Sequence, residues 1–406
     1  IREGATGLNI VPDLPTIMGI EPGRPFAEGE IGGTGMPISS VKDMEAVLDG
    51  ISLQEQNIIL VFTQCVAPII LAYYIVVAEE RGLDITKLRG TIQNEPIRGR
   101  YSGYEPSCRY FDLCLKTAGD VVEYCAKRAP LGVPININMV FSGTFGVSPS
   151  LELAINFSIA KAHLEEALRR GLSVDEVAPR IGFLIGCGVD FFEEVAKLRA
   201  ARRLWARMIK EKFGAKNPYS CALRFGVATH GYTLYCQEPL NNVIRLTIEA
   251  MAGILGGCQS CASCCYDEPI CLPTKKSHQL ALRSQQILAY EKGIANVADP
   301  LGGSYYVEYL TSEIEKGADK ALDQIENMGG IKGAVESKWL DGELERSALK
   351  YYRGLNSGGR VKVGVNAFID RSDAQSIVDV HKVSPKVAED ALAKLKGCCC
   401  PVKMSP

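Results

Sequence analysis

Short apolar runs rich in β-branched residues alternate along this chain with longer segments whose apolar residues recur at three- and four-residue spacing. The first pattern suits a buried strand, and the second lays one apolar stripe along a helix. Strand candidates are 57–62, 90–94, 135–142, 180–186, 221–228 and 257–262. Helix candidates 68–81, 106–128, 150–170, 190–212 and 239–256 lie between them, and 276–292, 310–327 and 331–337 follow. Leu151, Ala154, Ile155 and Ile159 form one such stripe. Strands separated by helices pair in parallel. Six or more such units in one chain favour a closed barrel, so the expected class is α/β, a (β/α)8 TIM barrel. Neither a GxGxxG fingerprint nor a P-loop follows any of the strands.

Helix punctuation supports this reading. Ser150 opens one helix, Gly171 follows Arg169-Arg170 as a terminating glycine, and Asp190 opens another. Beyond Phe368 the pattern becomes a polar helix over 385–396, then Gly397-Cys398-Cys399-Cys400-Pro401. The expected division is a barrel over 1–368 and a helical, Cys-rich extension over 369–406.

The segment 58–78 is almost wholly apolar and as long as a membrane-spanning helix. Pro68 divides it into a β-branched run, Ile58 to Thr63, and a helical run, which predicts a buried strand and then a helix. Lys and Arg number 45 against 47 Asp and Glu, a net charge of -2, so bulk charge argues for neither nucleic acid nor an anionic membrane as partner. The chain opens Ile1-Arg2-Glu3-Gly4 with no basic-then-apolar leader, read as no signal peptide and as the interior of a longer chain lacking its N-terminal part. Fifteen cysteines without a secretory leader are read as reduced thiols, hence a cytoplasmic protein.

In a barrel the chemistry sits at the carboxyl ends of the strands. That selects 91–94, 141–146, 226–231 and 258–267, where polar, Gly and Cys residues interrupt the apolar runs. Cys258, Cys261 and Cys264 have the two-residue spacing of an iron–sulfur ligand run, so an Fe–S-cluster-containing barrel enzyme is one alternative. Against it, a spacing of three on a strand points alternate thiols to opposite faces. Free Cys also serves as small apolar filling.

Gly90-Thr91-Ile92-Gln93-Asn94, Ala200-Ala201-Arg202-Arg203-Leu204-Trp205, Glu238-Pro239-Leu240-Asn241-Asn242, Gly256-Gly257-Cys258-Gln259-Ser260, Asp299-Pro300-Leu301-Gly302-Gly303-Ser304-Tyr305 and Val363-Gly364-Val365-Asn366 occur in this order. Together they resemble the large-subunit barrel of the cobalamin-dependent acyl-CoA mutase family, over residues 4–368. Gly257-Cys258-Gln259 and Tyr305-Tyr306-Val307-Glu308 are closer to the 2-hydroxyisobutyryl-CoA branch than to methylmalonyl-CoA mutase. The resemblance implies a barrel threaded by an acyl-CoA, with adenosylcobalamin held between the barrel and a separate domain. That domain bears a cobalt-ligating histidine in an Asp-x-His-x-x-Gly motif. None of the four histidines here, His163, His230, His278 and His381, lies in such a motif. The cobalamin domain is therefore expected on a partner small subunit, in a hetero-oligomer or dimer. The implied reaction is a radical 1,2-rearrangement of the acyl-CoA carbon skeleton.

Residue by residue, the resemblance assigns Thr91 and Gln93 to catalysis at the thioester. It assigns Thr91, Ile92, Gln93, Arg180, Gln259 and Ser260 to substrate, with Arg180 toward the CoA portion. Leu14, Gly231, Glu268 and Pro269 fall to the cofactor, and no residue falls to a metal. The departures concern polar groups. The family's Ser-Gly-Tyr-His, whose histidine donates to the substrate carbonyl, is replaced by Phe141-Ser142-Gly143-Thr144-Phe145-Gly146, with Phe145, or else Phe141, at the histidine position. Loss of one positioned donor costs about 100- to 1000-fold in rate. Gly226 and Ala228 stand for a His and a Gln, and Leu60 and Phe62 for polar residues. The loop after Asn94 is shorter, and Arg98 and Arg100 near it do not align with the family's carboxylate-binding arginine. His230 takes the place of a serine and is expected to make local hydrogen bonds. These changes predict an acyl group more apolar than methylmalonyl, and they leave open a barrel subunit without activity of its own, kept for assembly.

Overall fold

The computed structural model describes residues 2–62, 66–99, 110–370 and 380–398. They divide into two compact units, residues 1–135 with 382–406, and residues 136–381.

The first unit is built on a four-stranded sheet in the order β1 (Gly7–Ile10), β2 (Asn57–Leu60), β3 (Gly90–Ile92) and β4 (Gly132–Val133), all parallel. Its helices are α1 (Leu14–Met18), α2 (Val41–Val47), α3 (Ala67–Glu80) and α4 (Phe111–Arg128). Ala67, Ile70, Tyr74, Val77 and Ala78 recur on one side of α3 and are buried with Ile58 and Leu60 of β2 and with Val121 and Cys125 of α4. The long apolar segment is thus a strand and a helix, as its proline implies. Among the described residues no helix is long and apolar enough to cross a membrane. The helix Pro385–Cys398 belongs to this unit: Ala391 is buried with Ala27 and Ile31, and Lys394 pairs with Asp43 at 2.7 Å.

The second unit carries β5 (Ile135–Asn138), β6 (Ile181–Cys187), β7 (Arg224–Thr229) and β8 (Ser260–Ala262) in that order. The β6–β7 and β7–β8 pairs are parallel. Its main helices are α5 (Val140–Thr144), α6 (Pro149–Arg169), α7 (Val174–Val177), α8 (Phe191–Arg207), α9 (Asn241–Leu255), α10 (Lys275–Gln286), α11 (Tyr305–Asn327), α12 (Gly330–Glu336) and α13 (Trp339–Asn356). Almost every residue of β6 is buried, as a strand covered on both faces must be. Phe157, Phe183 and Trp205 meet in the core with ring centroids 5.0 to 6.0 Å apart, and the Trp205 indole N–H donates to Ser220 O at 3.2 Å. This satisfies the one polar atom of a large buried ring.

Several expectations need correction. The strands form two separate four-stranded ladders, and a single closed barrel ladder is not seen. One residue, Pro134, separates β4 from β5, and proline has no N–H to give to a ladder. The strand expected over 135–142 stops at Asn138, because the Asn138 side chain accepts from Val140 N–H at 3.1 Å and starts α5. The segment 141–146 is therefore a helical turn. The cap of α6 is Ser148, which accepts from Leu151 N–H, with Pro149 in the first turn. Asp190 caps α8 and Gly171 follows α6 with φ +85°, both as expected. β1, β4 and the helices α1, α2, α5, α7 and α13 are not among the sequence candidates, β1 and β4 because runs of four and two residues opening on glycine are too short to show a period. Thr63, Gln64, Arg100, residues 106–109, Cys399 and Cys400 lie outside the described residues.

Trp205→Ala is expected to lower the unfolding free energy by about 3–5 kcal/mol. Urea denaturation followed by circular dichroism measures this, and a loss below 1 kcal/mol would contradict the central role given to the aromatic cluster.

Candidate functional site

In the first unit the Thr91–Gln93 segment ends β3. Ile92 is part of the core, and Thr91 is half-buried, lining an apolar cavity with Leu60, Tyr74 and Cys125. The Gln93 N–H donates to Leu60 O at 3.0 Å, which prolongs the ladder by one residue past the strand. Its side chain is 3% exposed, and its Oε1 has no hydrogen-bond partner. A buried carbonyl oxygen left unpaired is costly, and such exceptions concentrate where a ligand completes the pairing. Asn94 is committed to structure, because its Nδ2 donates to Ala118 O and Pro134 O, each at 3.1 Å. Leu14 is the first residue of α1, placed by Asp13, which accepts from Thr16 N–H and Gly32 N–H. Leu60 and Phe62, at family polar positions, are both buried.

In the second unit a cluster of ionisable groups surrounds the carboxyl ends of β6 and β7. Lys197, on α8, is fully buried and reaches Glu152 Oε2 of α6 at 3.0 Å, Glu194 Oε2 at 2.7 Å and Gly186 O of β6 at 2.8 Å. Burial alone would pull its pKa down, but Glu152 and Glu194 outweigh it and hold the ammonium protonated far beyond its usual range. Burial pushes Glu152 up to about 7, against the pull of Lys197. The sequence reading missed all three residues. Their signal was there: Glu152 and Lys197 sit on the apolar stripes of their helices, beside Leu153, Ala154 and Ile155 and beside Val195, Ala196 and Leu198.

His230 is the first residue past β7 and is 1% exposed. Its N–H donates to Glu249 Oε2 at 3.0 Å, and its ring lies 4.7 Å from that of Tyr232. Burial first, then the Lys197 charge, pushes its pKa down to about 3, so the ring is neutral. Burial pushes Glu249 up to about 8. A Cβ on Gly186 or on Gly143 would come within 2.0 or 2.6 Å of the His230 Nε2, so only glycine at both positions admits the ring.

The other expected residues fall as follows. Gly231 faces open space, with nothing within 4 Å of where a Cβ would stand. Ser260 is exposed and pairs in register with Gly226, whose missing Cβ leaves room for the serine hydroxyl. Gln259 Oε1 accepts from Phe225 N–H at 2.6 Å, so this side chain extends the β7–β8 pairing. Arg180 closes the turn before β6, at the amino end of that strand, and is half-buried. Glu268 follows β8 and accepts from Cys265 N–H at 2.6 Å, with its pKa raised by burial, and Pro269 beside it is exposed. Phe145 caps the end of α5 and is half-buried.

The iron–sulfur alternative is corrected here. Among the described residues no group of three or more His, Cys, Asp or Glu side chains is placed to hold a metal. Burial pushes Cys258 up to about 11, and Cys261 and Cys265 to about 12. The Cys264 Sγ donates to Thr229 O at 3.2 Å, a packing role.

Two expectations follow. Lys197→Met leaves two buried carboxylates without their cation and is expected to cost about 3–5 kcal/mol of stability, measured by urea denaturation. The second concerns pH. Native Glu249 keeps a proton that the unfolded chain loses above its ordinary 4.5, so its contribution falls as pH rises toward about 8. His230 refuses a proton that the unfolded chain takes up below 6.5, so its contribution falls as pH drops toward about 3. Above pH 6.5 only the first operates and below pH 4.5 only the second. Glu249→Gln should flatten the alkaline arm of a stability–pH curve and His230→Asn the acid arm.

The sequence profile of the methylmalonyl-CoA mutase family matches residues 1–400. The 2-hydroxyisobutanoyl-CoA mutase large subunit of Aquincola tertiaricarbonis is 36% identical over 98% of this chain and 70% of its own length. The mitochondrial methylmalonyl-CoA mutase of Homo sapiens is 37% identical over 98% of the chain, and the Escherichia coli methylmalonyl-CoA mutase is 35% identical over the same share. The chain spans about half the length of these two enzymes, 53% and 55%. Two relatives of different substrate name thus match along nearly the whole chain, and the chain belongs to the methylmalonyl-CoA mutase family, whose named members are acyl-CoA mutases, isomerases by reaction type.

Proposed function

We propose that this chain is the (β/α)8 barrel subunit of an adenosylcobalamin-dependent acyl-CoA mutase, which rearranges the carbon skeleton of an acyl-CoA by a 1,2-shift. The observation that carries the reading is the buried, unpaired Oε1 of Gln93 at the end of β3, inside the Gly90-Thr91-Ile92-Gln93-Asn94 motif. In this reading Thr91, Ile92 and Gln93 hold the thioester end of the substrate, Gln259 and Ser260 flank the acyl chain, and Arg180 meets the CoA portion. Leu14, Gly231, Glu268 and Pro269 would hold the cofactor. The fit is supported by Gly231, over which a Cβ would meet nothing, and by the chain positions of all four, each after the carboxyl end of a strand, β1, β7 or β8. Bound adenosylcobalamin supplies radical hydrogen abstraction, and the protein's own part is to orient the acyl-CoA and keep water away.

The acyl group is proposed to be more apolar than methylmalonyl, since Leu60 and Phe62 are buried core and Phe145 replaces an imidazole. A separate cobalamin-binding small subunit would complete the enzyme, in keeping with the large-subunit name of the Aquincola tertiaricarbonis relative. Residues 1–368 are proposed as the barrel and 369–406 as its extension, in a cytoplasmic protein. A second reading, an inactive barrel kept for assembly, draws on the same Phe145.

Electron paramagnetic resonance of the chain with a cobalamin-binding small subunit, adenosylcobalamin and a panel of acyl-CoAs tests both. The expected result is a coupled cobalt(II)–organic radical signal with one apolar acyl-CoA. No signal despite tight assembly would establish the assembly reading, and methylmalonyl- and succinyl-CoA as the best pair would overturn the substrate assignment.

A further inference from the structure

The sequence predicts a local structural role for His230, yet the Nδ1 of its ring meets no such partner. The Nδ1 atom is buried and makes no hydrogen bond. Of the neighbouring polar groups, Glu249 Oε1 and Glu152 Oε1 are themselves buried without a partner, and the rest are engaged elsewhere. Glu249 Oε2 takes the His230 backbone N–H, and Lys197 is shared between two carboxylates and Gly186 O. Tyr232 offers its ring.

The ring is nonetheless built in. Gly143 on α5 and Gly186 on β6 are two separate elements that both leave out a Cβ where the imidazole lies. The strand end places it at the edge where parallel α/β sheets bind ligands, and the next residue, Gly231, faces open space. A buried ring nitrogen at such an edge is expected to find its partner in a ligand. The adjacent Lys197 charge and the burial keep the ring uncharged. A neutral donor suits a neutral carbonyl oxygen rather than a carboxylate, which would call for a cation.

We propose that the His230 Nδ1–H donates to the thioester carbonyl oxygen of the bound acyl-CoA, and so supplies from the end of β7 the imidazole donor that Phe145 removes from α5. Gly143, against which the ring lies, is two residues before Phe145 on the same helical turn, so the donor reaches this helix from a different element. This assignment rests on the acyl-CoA reading above.

The test is a ligand–variant cycle on the full chain. Binding of butyryl-CoA and of S-butyl-CoA, the thioether with a methylene in place of the carbonyl, is measured by calorimetry for the wild type, His230→Ala and His230→Asn. The wild type is expected to favour the thioester by about tenfold, an ordinary worth for one hydrogen bond. His230→Ala should abolish that preference while keeping the thioether affinity, and His230→Asn, which keeps a donor, should restore part of it. In the wild type labelled with 15N-histidine, the His230 Nδ1 resonance should move with butyryl-CoA and stay with S-butyl-CoA. An undiminished preference in His230→Ala, or an Nδ1 resonance unmoved by the thioester, overturns the assignment and leaves the acyl-CoA reading standing. If neither compound binds the wild type, the acyl-CoA reading itself fails and His230 falls with it.

Discussion

One buried ammonium holds together the strand ends of the second unit. Lys197 joins α8 to α6 through Glu152 and both to β6 through Gly186 O. Taking these charges out of water is expensive, and the geometry offsets that cost only because three acceptors converge on one cation. The convergence also determines what can stand nearby. Gly186 is pinned by its own carbonyl, and the His230 ring rests on it. Burial, reinforced by the Lys197 charge, keeps that ring neutral. A single ion cluster therefore positions a strand end and reinforces the neutrality that burial imposes on the imidazole beside it.

The first unit reaches a similar end with hydrogen bonds between uncharged groups. The ladder hydrogen bond from Gln93 to Leu60 carries the β-conformation one residue beyond β3. Asn94 then turns the chain away by donating to Ala118 O and Pro134 O. Gln93 is left buried with an oxygen to offer, between a residue that belongs to the sheet and one that belongs to the loop. Its neighbours Leu60 and Phe62 contribute only apolar bulk. At the end of β3 the surroundings are neutral and largely apolar, with the Gln93 oxygen unpaired, which suits the binding of an uncharged reacting group.

The alternating apolar pattern was enough to place six of the eight strands near their true positions, and most of the longer helices between them. Periodicity reports burial, and burial is what these elements share. It failed where local hydrogen bonds compete with the pattern. Asn138 ends β5 by capping the next turn, so 141–146 reads as strand but folds as helix. It also failed for β1, which is short and opens on glycine.

The sequence by itself determined the family, through motifs whose order along the chain is a one-dimensional fact, and the parallel α/β class, through a periodicity that needs no neighbours. Its resemblance to the family also sets Phe145, or else Phe141, where an imidazole is expected. Only the tertiary structure decided that the cysteines between 258 and 271 form no metal-holding group among the described residues. It alone brought Glu152, Lys197 and Glu194 together and seated His230 against two glycines from other elements. The physical reason is the same in each case. Charge pairing, desolvation and close approach depend on distances between residues far apart in the chain, and no spacing along one strand or helix encodes them.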